Sequence, residues 1–286
     1  MKVLILSDYL HHKNQIGLKN VLDHMKIVYE FTSDKNRINE YDFIYSPTNA
    51  IDTSKFPNKK FLFGPHFSVL PDDKLKSINN VNRNALYIQP SEWCVELWKG
   101  LGVKKYLPIT SFPFPVDVNM FCPIEGNMHK EKVFVYFKNR KSEELSFVDH
   151  FLKSRNIPYT VFDYVARYDE KDYLECLKYA KYGIIIGTHE SQGFAIEEAL
   201  SCDVPLLVWN VRNLNQEVGC NYPSLPATSI EYWDERCGEY FFDATEFSRT
   251  YDIFMSKLEI YRPRDYIMEN LSVEPCAKRF KQILEF

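Results

Sequence analysis

Short apolar runs rich in Val, Ile, Phe and Tyr alternate along this chain with longer stretches whose apolar residues recur at helical spacing. That alternation predicts parallel strands joined by helical crossovers, an α/β fold. In the first part, strands are expected at 3–6, 42–45, 61–63 and 86–89, with helices around 17–25 and 91–101; Ser91 is the expected N-cap of the second helix. A second series places strands at 133–137, 159–162, 183–186 and 205–209 and helices near 143–154, 170–180 and 194–202. The end of the chain reads as helical on either side of Pro275, with Phe280, Ile283 and Leu284 at helical spacing.

Between the two series runs "SFPFPVDVNMFCPIEGNMHKEK", holding Pro113, Pro115, Pro123 and Gly126, a composition that breaks both patterns. A boundary near residue 115 follows, giving a first domain over 1–115 and a second over 116–269. No internal repeat or low-complexity segment is evident.

Composition changes this picture little. A chain of 286 residues with 45% apolar content can build one large domain or two ordinary ones. With 35 basic against 39 acidic side chains and no block of like charge, nucleic acid is not an expected partner. The opening "MKVLILSDYL" is too short in apolar residues for a leader, and no segment nears 18 uninterrupted apolar residues. A soluble, cytoplasmic protein without an integral membrane segment is expected. Peripheral association with a membrane stays open, although no basic amphipathic helix stands out. Seven scattered cysteines without a Cys-x2-Cys pair suggest neither a disulfide framework nor a zinc site.

Candidate chemistry gathers where strands end, because ligands of doubly wound sheets bind beyond the carboxyl ends of the strands. There stand Gly64-Pro65-His66, Lys138-Asn139-Arg140-Lys141, Asp163-Tyr164 and the loop Gly187 to Gly193. Within "GTHESQGFAIEEALSCDVPLLVW", Gly193 precedes an expected helix. The N–H groups of Gly193, Phe194 and Ala195 would then present an anion site that a diphosphate could approach closely. Glu190 would flank that anion, and Glu198 lies one turn beyond Phe194 on the same face. Carboxylates accept paired hydrogen bonds from vicinal sugar hydroxyls, so a nucleoside diphosphate sugar matches the layout. The competing reading is plain: two glutamates at this interval arise by chance, and a helix dipole favours acids in its first turns anyway.

The same stretch resembles the donor-site signature of retaining GT-B glycosyltransferases, in particular the family numbered four: glutamate, small residue, Gly-Phe, a glutamate-alanine pair, then a small-residue-Pro turn into a strand. "PSEWCVELWKGLGV", "FPVDVNMFCP" and "RPRDYIMENLSVEPCAKRFKQIL" resemble further segments of that family in its order. The resemblance covers residue 86 to the end well and the first 85 poorly. It implies two Rossmann-like parallel-sheet domains facing across a cleft, the first on the acceptor side and the second binding the nucleotide sugar, with the helix at about 270–286 packing back onto the first.

By the same resemblance, Glu190 would hold hydroxyls of the donated sugar, the backbone at Gly193-Phe194, with Gln192 and Ala195 beside it, the distal phosphate, and Glu198 the ribose. Lys138 stands where the family has an arginine. The lysine expected a few residues later is absent, with Glu143 and Glu144 in its place, so Arg140 or Lys141 would substitute. Tyr164 would lie near the base. His66 is a candidate for the family's first-domain histidine, with His11 and His12 as competitors, while His189 beside Glu190 reads equally well as structural; a first-loop glycine pair is reduced to Gly17.

The implied reaction is hexosyl transfer from a GDP- or UDP-linked donor to a glycan or glycoconjugate hydroxyl, with retention. No two aspartates stand in an Asp-x-Asp spacing, so departure of the nucleotide is expected to rely on Lys138, Arg140 or Lys141 and the Gly193 helix end, with neither metal nor cofactor. Rival readings are a GT-B epimerase or inverting transferase, and a binding or scaffold protein with a degenerate donor site.

Overall fold

The computed structural model describes residues 1–7, 9–76, 84–124 and 130–286; Asp8 at the end of the first strand and Gly126 of the expected linker lie outside them. The chain divides into two units, Met1–Pro115 together with Leu271–Phe286, and Val116–Asn270.

Unit 1 runs β1 (Lys2–Leu6), α1 (His12–His24), β2 (Val28–Thr32), β3 (Phe43–Ser46), β4 (Lys60–Phe63), α2 (Asp73–Lys76), β5 (Ala85–Gln89), α3 (Glu92–Gly100) and β6 (Ile109–Ser111). The six strands form one parallel sheet in the order β2-β1-β3-β4-β5-β6. The runs VLIL, FIYS and ALYIQ are buried throughout, as parallel strands covered on both faces must be. Phe61, Phe63, Tyr87 and Trp98 dominate one face of that core.

Gly17 sits inside α1, not in the loop after β1; a Cβ there would come within 3.0 Å of both the Pro115 ring and its carbonyl, so the glycine serves helix packing. Ser91 occupies the N-cap position of α3, but its side chain makes no capping bond. The edge strands β2 and β6 escaped the pattern: VYEFT is only half-buried and ITS is three residues long.

Unit 2 contains β7 (Lys132–Phe137), α4 (Ser142–Ser154), β8 (Tyr159–Asp163), α5 (Glu170–Tyr179), β9 (Ala180–Ile186), α6 (Phe194–Ser201), β10 (Leu206–Trp209), β11 (Gly238–Phe241), α7 (Ala244–Ser256) and α8 (Pro263–Asn270). Its parallel sheet has the order β11-β10-β9-β7-β8. Strand order therefore reverses between β7 and β9, and their carboxyl ends flank the switch point where such sheets bind ligands. Phe151, Phe241, Phe247 and Tyr251 pack α4 and α7 against one face of the sheet.

The terminal helix α9 (Val273–Glu285) belongs to unit 1, where Phe280 meets Phe112 and Phe286 meets Phe43. Pro275 lies in its first turn, where the missing N–H costs nothing. All seven cysteines are free thiols. Among the described residues no helix is long and apolar enough to cross a membrane.

Candidate active site

Two loops at the switch point of unit 2 carry the candidate chemistry, one after β7 and one between β9 and α6. Lys138 follows β7 directly and is fixed by its backbone N–H, which donates to the Ile186 carbonyl at the end of β9. Its Nζ donates to Glu190 Oε1 at 2.7 Å and stands 4.7 Å from the centroid of the Tyr164 ring. Both members of the ion pair are largely buried, at 17% and 16% side-chain exposure. Burial alone would lower the Lys138 ammonium, but Glu190 beside it overcomes that and holds the group above its ordinary value. Lys138 is therefore charged at neutral pH.

Gly193 is the N-cap of α6, with φ +93°, a left-handed conformation that glycine adopts without strain. Its carbonyl accepts from the Ile196 and Glu197 N–H groups, which closes the first turn of α6. The Ala195 carbonyl accepts from Tyr173 Oη at 2.8 Å, fastening the same turn to α5. Glu198 is buried in α6. It lies close enough to Tyr168 to add to the effect of burial in raising that phenol. Tyr136, at the end of β7, is likewise raised by burial first and by Glu190 second. Tyr136, Tyr168 and Tyr173 contact one another edge-on or tilted, forming an aromatic wall beside the two glutamates.

The remaining sequence candidates fall into three groups. Arg140 does not face outward: Nη1 donates to the carbonyls of Gly187 (2.9 Å) and Trp209 (3.3 Å), and its other nitrogens grip Glu144. At 2% side-chain exposure it is a tie between the ends of β7, β9 and β10, and Lys141 beside it is exposed. Gln192 is buried and donates through Nε2 to Glu197 Oε2 at 3.0 Å, which makes it a support of α6. Tyr164 is half-exposed next to Lys138.

His66 belongs to unit 1, after β4. Its Nε2 lies 3.1 Å from Nδ2 of the buried Asn14, and the Tyr9 ring stands edge-on to it at 6.2 Å. Burial, with His11 nearby, pushes the imidazole down to about 4, so His66 is neutral at pH 7.

The structure adds residues that sequence reasoning did not select. The segment after β10 folds back over both site loops: Val218 N–H donates to the Asn139 carbonyl at 2.8 Å, and Glu190 N–H to the Thr228 carbonyl at 3.0 Å. Glu217 Oε1 accepts from Asn139 Nδ2 at 2.9 Å, while its Oε2 lies 3.2 Å from His189 Nδ1. Asn139 takes a positive φ of 48° to make these contacts. An asparagine directly after a strand is the one local signal for this, since asparagine tolerates that conformation. Glu217 carries none, lying in an irregular stretch far from either loop in sequence. Among the described residues no group of His, Cys, Asp or Glu is arranged to hold a metal ion.

Two parallel sheets of this kind, with a charged switch point in the second, match a known architecture. The fold is GT-B. The chain superposes over 99% of its length on 99% of lipopolysaccharide outer core galactosyltransferase WaaB, at 12% identity and a TM-score of 0.57. It also superposes on sucrose-phosphate synthase from Thermosynechococcus elongatus, at 12% identity and a TM-score of 0.53, covering 97% of this chain and 80% of that one. The N-terminal domain of Candida albicans trehalose-6-phosphate phosphatase gives a TM-score of 0.60 at 10% identity, covering 99% and 96%. No family model matches the sequence, and no curated protein matches it. At such identities the likeness establishes the GT-B fold alone.

Proposed function

We propose that the chain is a hexosyltransferase that moves a sugar from a nucleoside diphosphate donor, GDP- or UDP-linked, to a hydroxyl of a glycan or glycoconjugate acceptor. The observation that carries this reading is the 2.7 Å Lys138–Glu190 pair at the switch point, beside the glycine-capped start of α6 and the buried Glu198. The named solved structures include two sugar-transfer or sugar-phosphate synthesis enzymes, which agrees with it.

In this reading Glu190 accepts hydrogen bonds from hydroxyls of the donated sugar and Glu198 from those of the ribose. Lys138 and the N–H groups opening α6 oppose the charge on the leaving diphosphate, so no divalent ion or other cofactor is required. The bond from the anomeric carbon to the phosphate oxygen breaks as the acceptor oxygen bonds to the same face. The acceptor proton passes to the departing phosphate. Retention follows, without a covalent sugar intermediate. The proposal places the protein in the cytoplasm.

A second reading has one observation in its favour. Arg140 is spent inside the sheet, leaving Lys138 as the principal cation near the proposed diphosphate, which suits a binding protein with a degenerate donor site. Thermal unfolding with saturating GDP, UDP, ADP, CDP and TDP in the presence of a chelator separates the two. Ligand at a hundred times its dissociation constant adds about 2.7 kcal/mol, which raises the melting temperature by several degrees. A selective rise that vanishes in Glu198→Ala supports the donor site, and anomer analysis of the product then tests retention. Absence of any rise would sink the transferase.

A further inference from the structure

Four ionisable or polar groups from three separate segments meet beside the Lys138–Glu190 pair. His189 and Glu217 are 10% and 12% exposed, with His189 Nδ1 3.2 Å from Glu217 Oε2. The Tyr222 ring stands edge-on to the imidazole at 5.6 Å. Glu217 is itself fixed by Asn139, the neighbour of Lys138. The imidazole thus faces Glu217 and Tyr222 from the segment after β10, Glu190 from its own loop and Lys138 from the end of β7. Cys220 contacts Glu217 and Tyr222 from the rim.

With a neutral imidazole this cluster is net negative, since Lys138 is matched by Glu190 and Glu217 is left over. That is the wrong sign for a diphosphate. Resting on the proposed donor site, we propose that His189, held by Glu217, takes up a proton when a nucleoside diphosphate binds, and so provides the second positive charge that Arg140 cannot. The imidazolium carries a proton on each ring nitrogen, with Nδ1 3.2 Å from Glu217 Oε2, and the added proton comes from solvent. No bond to the ligand is made or broken. Burial holds the unliganded imidazole below its ordinary value, against the opposite pull of Glu217 and Glu190, while Lys138 pushes it further down. An added diphosphate reverses the balance, because an anion close to a histidine favours the charged form by roughly one to three pH units.

His189 and Glu217 are thus positioning residues whose work is read in protons. Binding of UDP and of GDP to the full chain is measured calorimetrically from pH 6.5 to 8.5, in buffers of differing ionisation enthalpy. Over the upper part of that range the ligand's own terminal phosphate, with a pKa of about 6, is already ionised and adds no uptake. The wild type is expected to take up about one proton per nucleotide where the linkage is greatest, its affinity falling up to about tenfold per pH unit there.

Two variants locate the proton. In His189→Gln the uptake disappears and affinity becomes flat with pH over the same range. In Glu217→Gln, which keeps an oxygen for Asn139, the uptake persists but its midpoint falls by about one pH unit, because the imidazolium has lost its carboxylate. Binding without uptake in the wild type overturns this inference and leaves the donor site standing, as does uptake that survives in His189→Gln. Failure of both nucleotides to bind overturns the two together.

Discussion

Lys138 Nζ and Glu190 Oε1 meet at 2.7 Å although 52 residues separate them, one fixed to the end of β7 and the other to the loop after β9. The backbone bond from Lys138 N–H to the Ile186 carbonyl and that from Glu190 N–H to the Thr228 carbonyl set both residues before their side chains are considered. In the proposed reading, a pair so placed at the switch point meets a ligand that carries both hydroxyl donors and negative charge.

Removing either partner therefore has two separable effects. A sugar hydroxyl bond to a charged group is worth about 1.5–3 kcal/mol, so Glu190→Ala is expected to lower turnover by roughly tenfold to a hundredfold. Leaving a mostly buried charge without its partner destabilises the fold as well, by up to about 3–5 kcal/mol. Denaturant titrations of Glu190→Ala, Lys138→Ala and the double variant test this: the double variant is expected to be more stable than the two single losses summed. Unchanged turnover in Glu190→Ala would refute its proposed role.

Arg140 is expected to behave as a structural residue. Its guanidinium satisfies the carbonyls of Gly187 and Trp209 and packs over the Trp209 ring, joining three strand ends. Lysine keeps the charge but loses the fork that reaches two carbonyls and Glu144 together. Arg140→Lys should lose about 2–4 kcal/mol in urea unfolding, in line with leaving buried polar groups without bonds. A variant of wild-type stability with weakened nucleotide binding would instead return Arg140 to the ligand.

Gly193 offers a test of backbone preorganisation. At φ +93° an L-residue is strained by about 1–2 kcal/mol, although a Cβ would meet Glu190 Cβ at an ordinary 3.4 Å. Gly193→Ala should show that loss in equilibrium unfolding, and the first turn of α6 should reorient enough to weaken nucleotide binding. Gly193→Asn should cost less, because asparagine visits the left-handed region more readily. A larger loss for Gly193→Asn than for Gly193→Ala would mean that side-chain bulk beyond Cβ, not φ, governs the position.

How much of this was legible depended on where each residue sat in the sheets. Buried central strands announce themselves by unbroken apolar runs such as FIY, FLF and III, and the fold class follows from their alternation with helices. The edge strands β2 and β11 do not: β2 carries Glu30 on a half-exposed ribbon, and β11 begins at Gly238 with Glu239 next to it, whereas the edge strand β8 keeps enough β-branched and aromatic residues to be expected at 159–162. In the site, Glu190, Gly193 and Glu198 lie close together in sequence and could be found as a pattern. Arg140 could not be told from a ligand-facing cation, because its carbonyl partners come from two other strand ends. Glu217 and His189 owe their meeting to the fold alone, through a segment with no regular periodicity.

His66 gives the clearest dependence on pH in unit 1. Burial holds its imidazole at about 4, well under the ordinary value near 6.5 that the unfolded chain would show. The unfolded state therefore binds more protons between these limits, so the stability linked to neutral His66 is complete above about pH 6.5 and is lost as pH falls through that window toward 4. Proton–carbon NMR of the ring is expected to show a midpoint near 4. His66→Gln, which can still meet Asn14, should lose less stability than the wild type on acidification from pH 6.5 to 4.5. A ring that titrates near 6.5 would mean that the pocket formed with Asn14 and Tyr9 is open to water, and that His66 is able to carry charge at neutral pH.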